Sequence, residues 1–345
     1  MKIIFATHEG VPIYGGGPYV KMLHTKQHLE RLGLEVEFLD IWQPREKILA
    51  CDLVHLFSAN FAVYNLARLL QMRGVKFVVN PIFYTRRSPG FVKTIANIDR
   101  LSRRFLRGMW WDWGFTRDIC EWSEQVLPNT RDEGTIISRG LGISPEKIRV
   151  IYNGVSERFL EADPALFEQK YGLKNFILSV GHIGPARKNV LALVRALAEI
   201  DRPAVLITRI LNTGETPAVL EVAAQNKRLL IIDGLANDDP LLASAYAACD
   251  VFVLPSQFET PGRAALEAAL AGAKVVITPH GGTRDYFADL AEYVDPFSIQ
   301  DIRRGIEKAL NAPKTPALRN HIAQHFLWDK IARDTVEVYR EVLER

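Results

Sequence analysis

The sequence contains few cysteines and no long apolar run, and these absences exclude several classes of protein. Its three cysteines, Cys51, Cys120 and Cys249, are scattered without the spacing of a metal or redox site, which fits a reducing compartment. No apolar run reaches the roughly eighteen residues of a membrane-spanning helix. The segment MKIIFATHEG has one lysine and an apolar run too short for a signal peptide, so we expect a cytoplasmic protein.

A strong charge of either sign is also absent. The net charge is +3 over 345 residues, which by itself gives no reason to expect a nucleic-acid partner. The 48% hydrophobic and 24% charged residues are ordinary for a globular protein. A chain of 345 residues exceeds the usual size of one hydrophobic core, so we expect two domains.

Short β-branched segments alternate with amphipathic helical segments along the chain. One series of strands begins at KIIFAT, and a second begins at NFILSVG after a polar stretch. Strands that alternate with helices predict parallel sheets covered on both faces. We therefore predict an α/β protein with two doubly wound domains, 1–165 and 175–325, followed by a segment, 326–345, whose apolar residues have helical spacing.

Ligands bind open parallel sheets at the carboxyl ends of the strands, so the residues that follow strands are the candidates for a site. After the first strand, Gly15, Gly16 and Gly17 precede a helix that Pro18 would start well. Glycines let a ligand approach the backbone, and a helix N-terminus favours an anion. The motif is not the dinucleotide fingerprint, because Val20 replaces its last glycine. The alternative is a turn that binds nothing.

A second candidate follows the strand NFILSVG. Lys188 lies where a loop enters a helix, beside Asn189 as a candidate cap, and His182 and Arg187 are close in sequence. A lysine in this position can reach a phosphate group. The alternative is a solvated helix start, which is the more usual role of an Arg–Lys pair.

The third candidate is a pair of carboxylates after the strand VFVLPS. Glu259 follows that strand, Gly262 opens the next helix, and Glu267 lies little more than one turn into it. Both carboxylates can face one crevice, with the N–H groups of the helix start between them to hold an anion. Either carboxylate could accept hydrogen bonds from a sugar, and Glu259 could meet the reacting carbon. The alternative for Glu267 is a surface pair with Arg263, although its small apolar neighbours favour burial with a partner.

These residues resemble the retaining nucleotide-sugar glycosyltransferases of the GT-B fold, and specifically glycosyltransferase family four. Two glutamates separated by seven residues form the signature, which matches Glu259 and Glu267 in ACDVFVLPSQFETPGRAALEAALAGAKVVITPHGG. The segments around the glycine loop and around Lys188 are also similar, so the resemblance spans almost the whole chain. It implies two Rossmann-like domains facing a cleft, with the acceptor-binding domain first, the nucleotide-sugar-binding domain second, and the C-terminal helix crossing back onto the first.

The resemblance also implies roles for individual residues. Glu259 would contact the donor sugar near its anomeric carbon, Lys188 would hold the diphosphate during the reaction, and Glu267 would bind the ribose. The donor would be a UDP- or GDP-linked sugar, and the family usually needs no metal, so no cofactor is expected. The full set of donor-binding residues would be Gly16, Gly17, His182, Arg187, Lys188, Gly262, Arg263 and Glu267.

The resemblance implies a hexosyltransferase of glycan or polysaccharide biosynthesis, with a glycan, lipid-linked or small-molecule acceptor. Two departures motivate an alternative. An arginine usually stands where His182 is, and the segment VVNPIFYT lacks a histidine that many members carry. The alternative is a catalytically weakened GT-B subunit that binds or scaffolds another transferase.

The segment 84–122 is the least similar to the family. Its first part sets seven basic residues against the single acid Asp99, and these are Arg86, Arg87, Lys93, Arg100, Arg103, Arg104 and Arg107. Four tryptophans follow, Trp110, Trp111, Trp113 and Trp122. Basic residues beside aromatics predict peripheral contact of 86–122 with the inner face of a membrane, with Arg100, Arg103, Arg104 and Arg107 on one broad helical face. The alternative is that the tryptophans are core and the arginines solvated. No nucleic acid is expected, because the aromatics are not interleaved with the basic run.

Overall fold

The computed structural model describes residues 1–48, 50–105 and 111–345. These residues form two compact units, of which the first comprises Met1–Gly154 with Trp328–Arg345 and the second comprises Val155–Leu327. Residues 155–165, which the sequence suggested for the first domain, lie in the second unit. The reason is that Val155 forms a parallel bridge with Leu327 and donates its N–H to the carbonyl of Phe326 at 2.8 Å.

The elements alternate between strand and helix, as the sequence predicts. Up to residue 154 they are β1 (Lys2–Ala6), α1 (Gly10–Tyr14), α2 (Gly17–Arg31), β2 (Glu35–Phe38), α3 (Arg45–Ile48), β3 (Leu53–Phe57), α4 (Phe61–Met72), β4 (Phe77–Asn80), α5 (Pro89–Phe105), α6 (Asp112–Trp122), β5 (Gln125–Val126) and α7 (Arg131–Thr135). The later elements are α8 (Ala165–Tyr171), β6 (Ile177–Ile183), α9 (Val190–Ala198), β7 (Ala204–Ile210), α10 (Thr216–Gln225), β8 (Leu229–Asp233), α11 (Pro240–Ala248), β9 (Val251–Leu254), α12 (Arg263–Leu270), β10 (Lys274–Ile277), α13 (Thr283–Phe287), β11 (Glu292–Tyr293), α14 (Ile299–Asn311), α15 (Ala317–His325) and α16 (Trp328–Glu344).

The first unit is built on a parallel sheet with the strand order β2-β1-β3-β4-β5. Alternate residues of β1 face opposite sides of this sheet, as the two-residue period of a strand requires. Ile3 and Phe5 pack with α2 and α16, whereas Ile4 and Ala6 pack with α4, α5 and α6. The C-terminal helix α16 therefore covers one face of the first sheet, as predicted.

The second unit is built on a parallel sheet with the strand order β11-β10-β9-β6-β7-β8. Strands β6, β7 and β8 follow one another towards one edge of the sheet. The chain then returns to the middle, and β9, β10 and β11 follow one another towards the other edge. The order therefore reverses between β6 and β9, which is where open α/β sheets leave a crevice for a ligand. Both units are doubly wound Rossmann-like domains, which confirms the predicted fold class. Within the described ranges, no helix is both long and apolar enough to cross a bilayer.

Candidate active site

The loops that follow β6 and β9 carry Arg187, Lys188 and Glu259, three of the predicted site residues of the second unit. These two strands are direct neighbours, paired at Ile177–Val251 and Leu178–Phe252. Parallel strands end at the same edge of a sheet, so the loop with Lys188 and the loop with Glu259 meet at the crevice. The site therefore forms from segments about seventy residues apart in sequence.

A short 3₁₀ turn after β6 presents Arg187 and Lys188 at the start of α9. Asn189 does not cap this helix with its side chain, contrary to the sequence expectation. Its backbone is left-handed, with φ of 56°, and its Nδ2 donates to the carbonyls of Pro255 at 2.9 Å and Pro296 at 2.6 Å. Because its side-chain amide donates to those two carbonyls, Asn189 connects the β6 loop to the β9 loop and does not cap the first N–H groups of α9.

Glu259 is buried and pairs with the two cations of the β6 loop. Its Oε1 lies 2.6 Å from Lys188 Nζ and 3.5 Å from an Arg187 guanidinium nitrogen, which also donates to the carbonyl of Phe258 at 2.9 Å. Burial alone would raise the pKa of the Glu259 carboxyl, but the charges of Lys188 and Arg187 outweigh it, so that its pKa falls below its ordinary value. One ionised carboxylate against two cations leaves a net positive charge, which suits an anionic ligand.

A glycine that the sequence reasoning missed fixes the backbone of Glu259. The N–H of Glu259 donates to the carbonyl of His280 at 3.0 Å, and a Cβ built on the next residue, Gly281, would lie 2.3 Å from the Glu259 carbonyl oxygen. Gly281 also has φ of 96°, which side-chain-bearing residues rarely adopt. The signal was present as the HGG motif directly after the strand KVVITP.

Glu267 is 4% exposed, and both of its carboxylate oxygens have partners. The hydroxyl of Tyr246 donates to Oε2 at 2.9 Å, and Arg263 Nε donates to Oε1 at 3.2 Å. Burial, and then the charge of Glu267, hold the pKa of Tyr246 well above its ordinary value, so the hydroxyl keeps its proton. Arg263 in turn donates to Asn237 Oδ1 at 2.8 Å. The Arg263–Glu267 pair considered as a surface alternative therefore exists, but its carboxylate is buried.

The helix α12 that carries Glu267 begins at the predicted position. Gly262 precedes it with φ of 86°, and Arg263 is its first residue. The first N–H groups of any α-helix lack partners within the helix, so this start offers donors between Glu259 and Glu267.

His182 lies at the end of β6, opposite Arg209 of β7 in the parallel register. Partial burial lowers its pKa, and the charges of Lys188, Arg209 and Arg187 lower it further. At neutral pH the protein without ligand therefore carries an uncharged imidazole where the family usually has an arginine. A pocket at this end of the sheet is lined by His182, Lys188 and Thr208, among others.

Gly16 and Gly17 belong to the first unit, whereas the other predicted donor residues belong to the second. Gly16 has φ of 86° and precedes α2, which starts at Gly17 with Pro18 in its first turn, as predicted. A Cβ built on either glycine would meet no atom within 4 Å, so the backbone here is open to an approaching group. No cluster of three or more His, Cys, Asp or Glu side chains that could hold a metal occurs in the described part of the chain.

The basic segment after β4 differs from the sequence expectation. Arg103 does not lie on a solvated basic face, because its guanidinium pairs with buried Asp99 at 2.8 Å and with Asp118 at 2.5 Å. Trp113 and Trp122 pack partly buried against the core of the first unit. Arg107, Trp110 and the side chain of Arg104 lie outside the described residues.

Comparison with known proteins connects both units to one group of enzymes. The family "Glycosyltransferase Family 4" matches residues 18–159, and "Glycosyl transferases group 1" matches residues 166–325. The MMP alpha-(1->4)-mannosyltransferase of Mycolicibacterium hassiacum is 25% identical over 236 residues, which are 64% of this chain and 55% of that protein. The serotype-specific mannosyltransferase WbdA of Escherichia coli is 30% identical over 221 residues, 59% of this chain and 27% of that protein. The chain spans about half the length, or less, of the curated relatives it matches.

Solved structures share the fold over nearly the full chain. Sucrose-phosphate synthase from Thermosynechococcus elongatus superposes with a TM-score of 0.73 at 17% identity, covering 99% of both chains. Anabaena HepE, solved in complex with UDP and glucose, superposes with a TM-score of 0.67 at 19% identity, covering 99% of this chain and 100% of that one. Both units, the two-glutamate motif and the two family matches agree, and the chain belongs to glycosyltransferase family 4, with the GT-B fold.

Proposed function

We propose that the protein is a retaining glycosyltransferase that moves a hexose from a UDP- or GDP-linked donor to a glycan, lipid-linked or small-molecule acceptor in glycan biosynthesis. The observation that supports this most directly is the 2.6 Å contact of Lys188 with Glu259 where the strand order reverses, with Glu267 one turn into α12. This arrangement offers separate groups for the diphosphate, the sugar and the ribose of one donor. The mannosyltransferases among the relatives and the UDP in the Anabaena structure support a nucleotide-linked hexose.

In the proposed reaction the bond between the anomeric carbon and the donor phosphate oxygen breaks. The electron pair goes to the diphosphate, whose negative charge grows as the bond lengthens. Lys188, Arg187 and the first N–H groups of α12 would strengthen their hold as that charge grows, which lowers the barrier. The ammonium of Lys188 has three donors, so it can stay on Glu259 while it binds a phosphate oxygen.

Retention follows if the acceptor hydroxyl attacks on the face from which the diphosphate leaves. The departing phosphate oxygen then takes the hydroxyl proton, so no separate protein base is required. Glu259 would help to position the donor sugar and the ammonium group of Lys188. Because Lys188 and Arg187 supply positive charge at the phosphates, the proposal includes no metal ion.

The test is nucleotide release from a panel of UDP- and GDP-linked hexoses in the presence of EDTA. Without an acceptor, a glycosyltransferase slowly transfers the sugar to water, and proton NMR recorded before mutarotation shows which anomer is released. We expect one donor to be hydrolysed with retention of its anomeric configuration. If no donor is bound or hydrolysed, the scaffold subunit becomes the better account, and release of the opposite anomer would overturn the retaining mechanism.

We also propose that the protein works at the inner face of a membrane, through contact by the segment 86–122. A lipid-linked acceptor would be presented at such a surface. The described side chains of this segment suggest a specific form for that contact.

A further inference from the structure

Helix α5 presents an exposed apolar stripe that the proposed sugar transfer leaves unused. The stripe consists of Phe91, Ile98, Leu101 and Phe105, which are 45%, 47%, 61% and 73% exposed. Their spacings of seven, three and four residues place all four on one face of the helix. Large apolar side chains in a continuous row mark an interaction surface more often than isolated ones do.

The opposite face of α5 is firmly packed, so the stripe cannot turn inward. Val92 and Ala96 are buried in the core of the first unit. A Cβ built on Gly140, which lies in the segment after α7, would be 2.8 Å from the side chain of Val92. This segment therefore packs closely against α5. Buried Asp99 holds Arg103 on this inner face and accepts the N–H of Trp111 at 3.1 Å. The helix is therefore anchored before it meets any partner.

The exposed charged side chains described on α5 and directly before it all carry one sign. Between residues 86 and 105 the single acid is Asp99, which is fully buried, and the next exposed acid along the chain is Asp112. The exposed basic side chains described in that range are Arg86, Arg87, Lys93 and Arg100. Lys93 and Arg100 are seven residues apart and so share one flank of the helix, between the stripe and the packed face. The Arg87 guanidinium lies 5.3 Å from the centre of the Phe91 ring at the start of the stripe.

We infer that the α5 surface, defined as the stripe with Arg87, Lys93 and Arg100, docks into an anionic lipid leaflet with the helix in the plane of the membrane. The stripe extends over about 21 Å, from fourteen residues at about 1.5 Å each. An in-plane helix buries its apolar side among the acyl chains and keeps its basic flank among the headgroups. The absence of exposed acidic side chains on this surface would not strengthen the binding of a neutral apolar protein partner. It would strengthen the binding of anionic headgroups.

This inference extends the proposed membrane contact and revises its chemistry. The contact is carried by apolar side chains of α5 that the sequence reasoning did not single out, and not by Arg103 or by the two core-packed tryptophans. It does not depend on the donor chemistry, so its test is read from lipid binding while donor hydrolysis is followed separately.

The test is cosedimentation of the full chain with two kinds of vesicle, pure phosphatidylcholine and phosphatidylcholine with roughly a quarter phosphatidylglycerol. The wild type should bind the anionic vesicles, bind the neutral ones weakly, and lose binding as salt increases. The variant I98S/L101S should lower the partition coefficient at least tenfold. The matched control L69S/M72S replaces two apolar residues of α4 that are similarly exposed, at 55% and 64%, and should bind like the wild type. R87S/K93S/R100S should lose binding to the anionic vesicles.

All replaced residues are exposed, so we expect each variant to fold. Circular dichroism and donor hydrolysis check that each variant is folded. The inference is overturned if the wild type ignores anionic vesicles at low salt, if I98S/L101S binds as tightly as the wild type, or if the α4 control weakens binding equally. It is also overturned if sedimentation equilibrium shows a dimer that only I98S/L101S dissociates, because a second copy would then cover the stripe.

Discussion

Glu267 shows at the scale of single residues why a charge stands in a helix otherwise built of small apolar side chains. Its carboxylate is buried, but Tyr246 and Arg263 donate to its two oxygens, so the charge is solvated by the protein. Each carboxylate oxygen has a second lone pair, and those remaining positions are what a ribose hydroxyl would use. Tyr246 and Arg263 therefore orient the group for the proposed ligand.

Replacing Glu267 with Gln should weaken binding of UDP or GDP. The change keeps the shape of the side chain but removes the charge that a ribose hydroxyl and Arg263 both bind. Loss of a charged hydrogen bond predicts roughly 1.5–3 kcal/mol, or about ten- to a hundredfold in Kd, measured by titration calorimetry. Tyr246→Phe removes only the orienting hydroxyl and is the control, with an expected loss below about tenfold. Unchanged nucleotide affinity in a folded Glu267→Gln protein would rule out the ribose role.

His182→Arg should tighten donor binding by roughly tenfold, because it places a permanent cation beside the proposed diphosphate site. The wild-type His182 has a lowered pKa in the free protein, and a bound diphosphate would raise it. The complex then holds more protons than the free protein, so wild-type affinity should fall as pH rises through the pKa of the complex. The arginine variant and a neutral control, His182→Gln, should both show flatter profiles over that range. Parallel pH profiles for all three proteins would place His182 away from the phosphates.

Lys188 and Glu259 could be brought together from sequence because both follow strands, and parallel strands end at one edge. Tyr246, Asn237 and Gly281 could not be assigned in the same way. Their roles depend on how closely α11 and the β10 loop approach Glu267 and Glu259, and that distance is a property of tertiary packing. The charge state of His182 was also out of reach, because it depends on partial burial and on Arg209 in the neighbouring strand.

At the scale of elements, buried charges join α2 and α7 across the first unit. Lys21 of α2 donates to Asn129 Oδ1 at 2.5 Å, and Glu133 of α7 accepts the N–H groups of Asn129 and Phe83, each at 2.7 Å. Burial lowers the pKa of Lys21 to about 7, and burial raises the pKa of Glu133 to about 7. Lys21 and Glu133 therefore help to hold two segments in place. These are α2 and the loop after β4 that contains Phe83.

Removing Lys21 and removing Glu133 should change the slope of the free energy of unfolding against pH in opposite directions. In Lys21→Met, burial keeps the folded pKa of Glu133 raised and the lowering charge of Lys21 is gone, so the stabilisation from Glu133 is present at low pH and is lost as pH rises towards that raised pKa. In Glu133→Gln, burial keeps the folded pKa of Lys21 lowered and the raising charge of Glu133 is gone, so the stabilisation from Lys21 is present at high pH and is lost as pH falls towards that lowered pKa. Urea unfolding between about pH 5 and 9 should show opposite slopes relative to the wild type, of roughly 2–4 kcal/mol. The double variant should lack both slopes, and equal slopes for the two single variants would contradict the account.

The α5 helix shows which element properties the sequence leaves undetermined. Its basic residues were visible as letters, and spacings of three and four placed several of them on one face. Which face meets solvent depends on what packs beneath the helix. Asp99 and Asp118 draw Arg103 inward, and the exposed side is then left to apolar residues such as Ile98 and Leu101.

At the scale of the whole molecule, alternation of strands and helices was enough to predict two doubly wound sheets and the crossing of α16 to the first. The point of division was less predictable, because Val155 could continue either unit until its bridge to Leu327 is known. The two units then divide the predicted donor residues unequally, with Gly16 and Gly17 in the first and the charged groups in the second. Charge at the proposed diphosphate site is thus supplied by one unit.

The measurement that tests the account most directly is donor hydrolysis by the wild type and Lys188→Ala, each in EDTA and in magnesium. We predict equal wild-type rates in both solutions, because Lys188 and Arg187 would stabilise the departing diphosphate without a metal. Lys188→Ala should lose roughly a hundredfold or more in kcat/KM, equivalent to about 2.7 kcal/mol of transition-state stabilisation, whereas the surface control Lys227→Ala should match the wild type. Wild-type hydrolysis that disappears in EDTA and returns with magnesium, or Lys188→Ala that turns over like the wild type, would contradict the account.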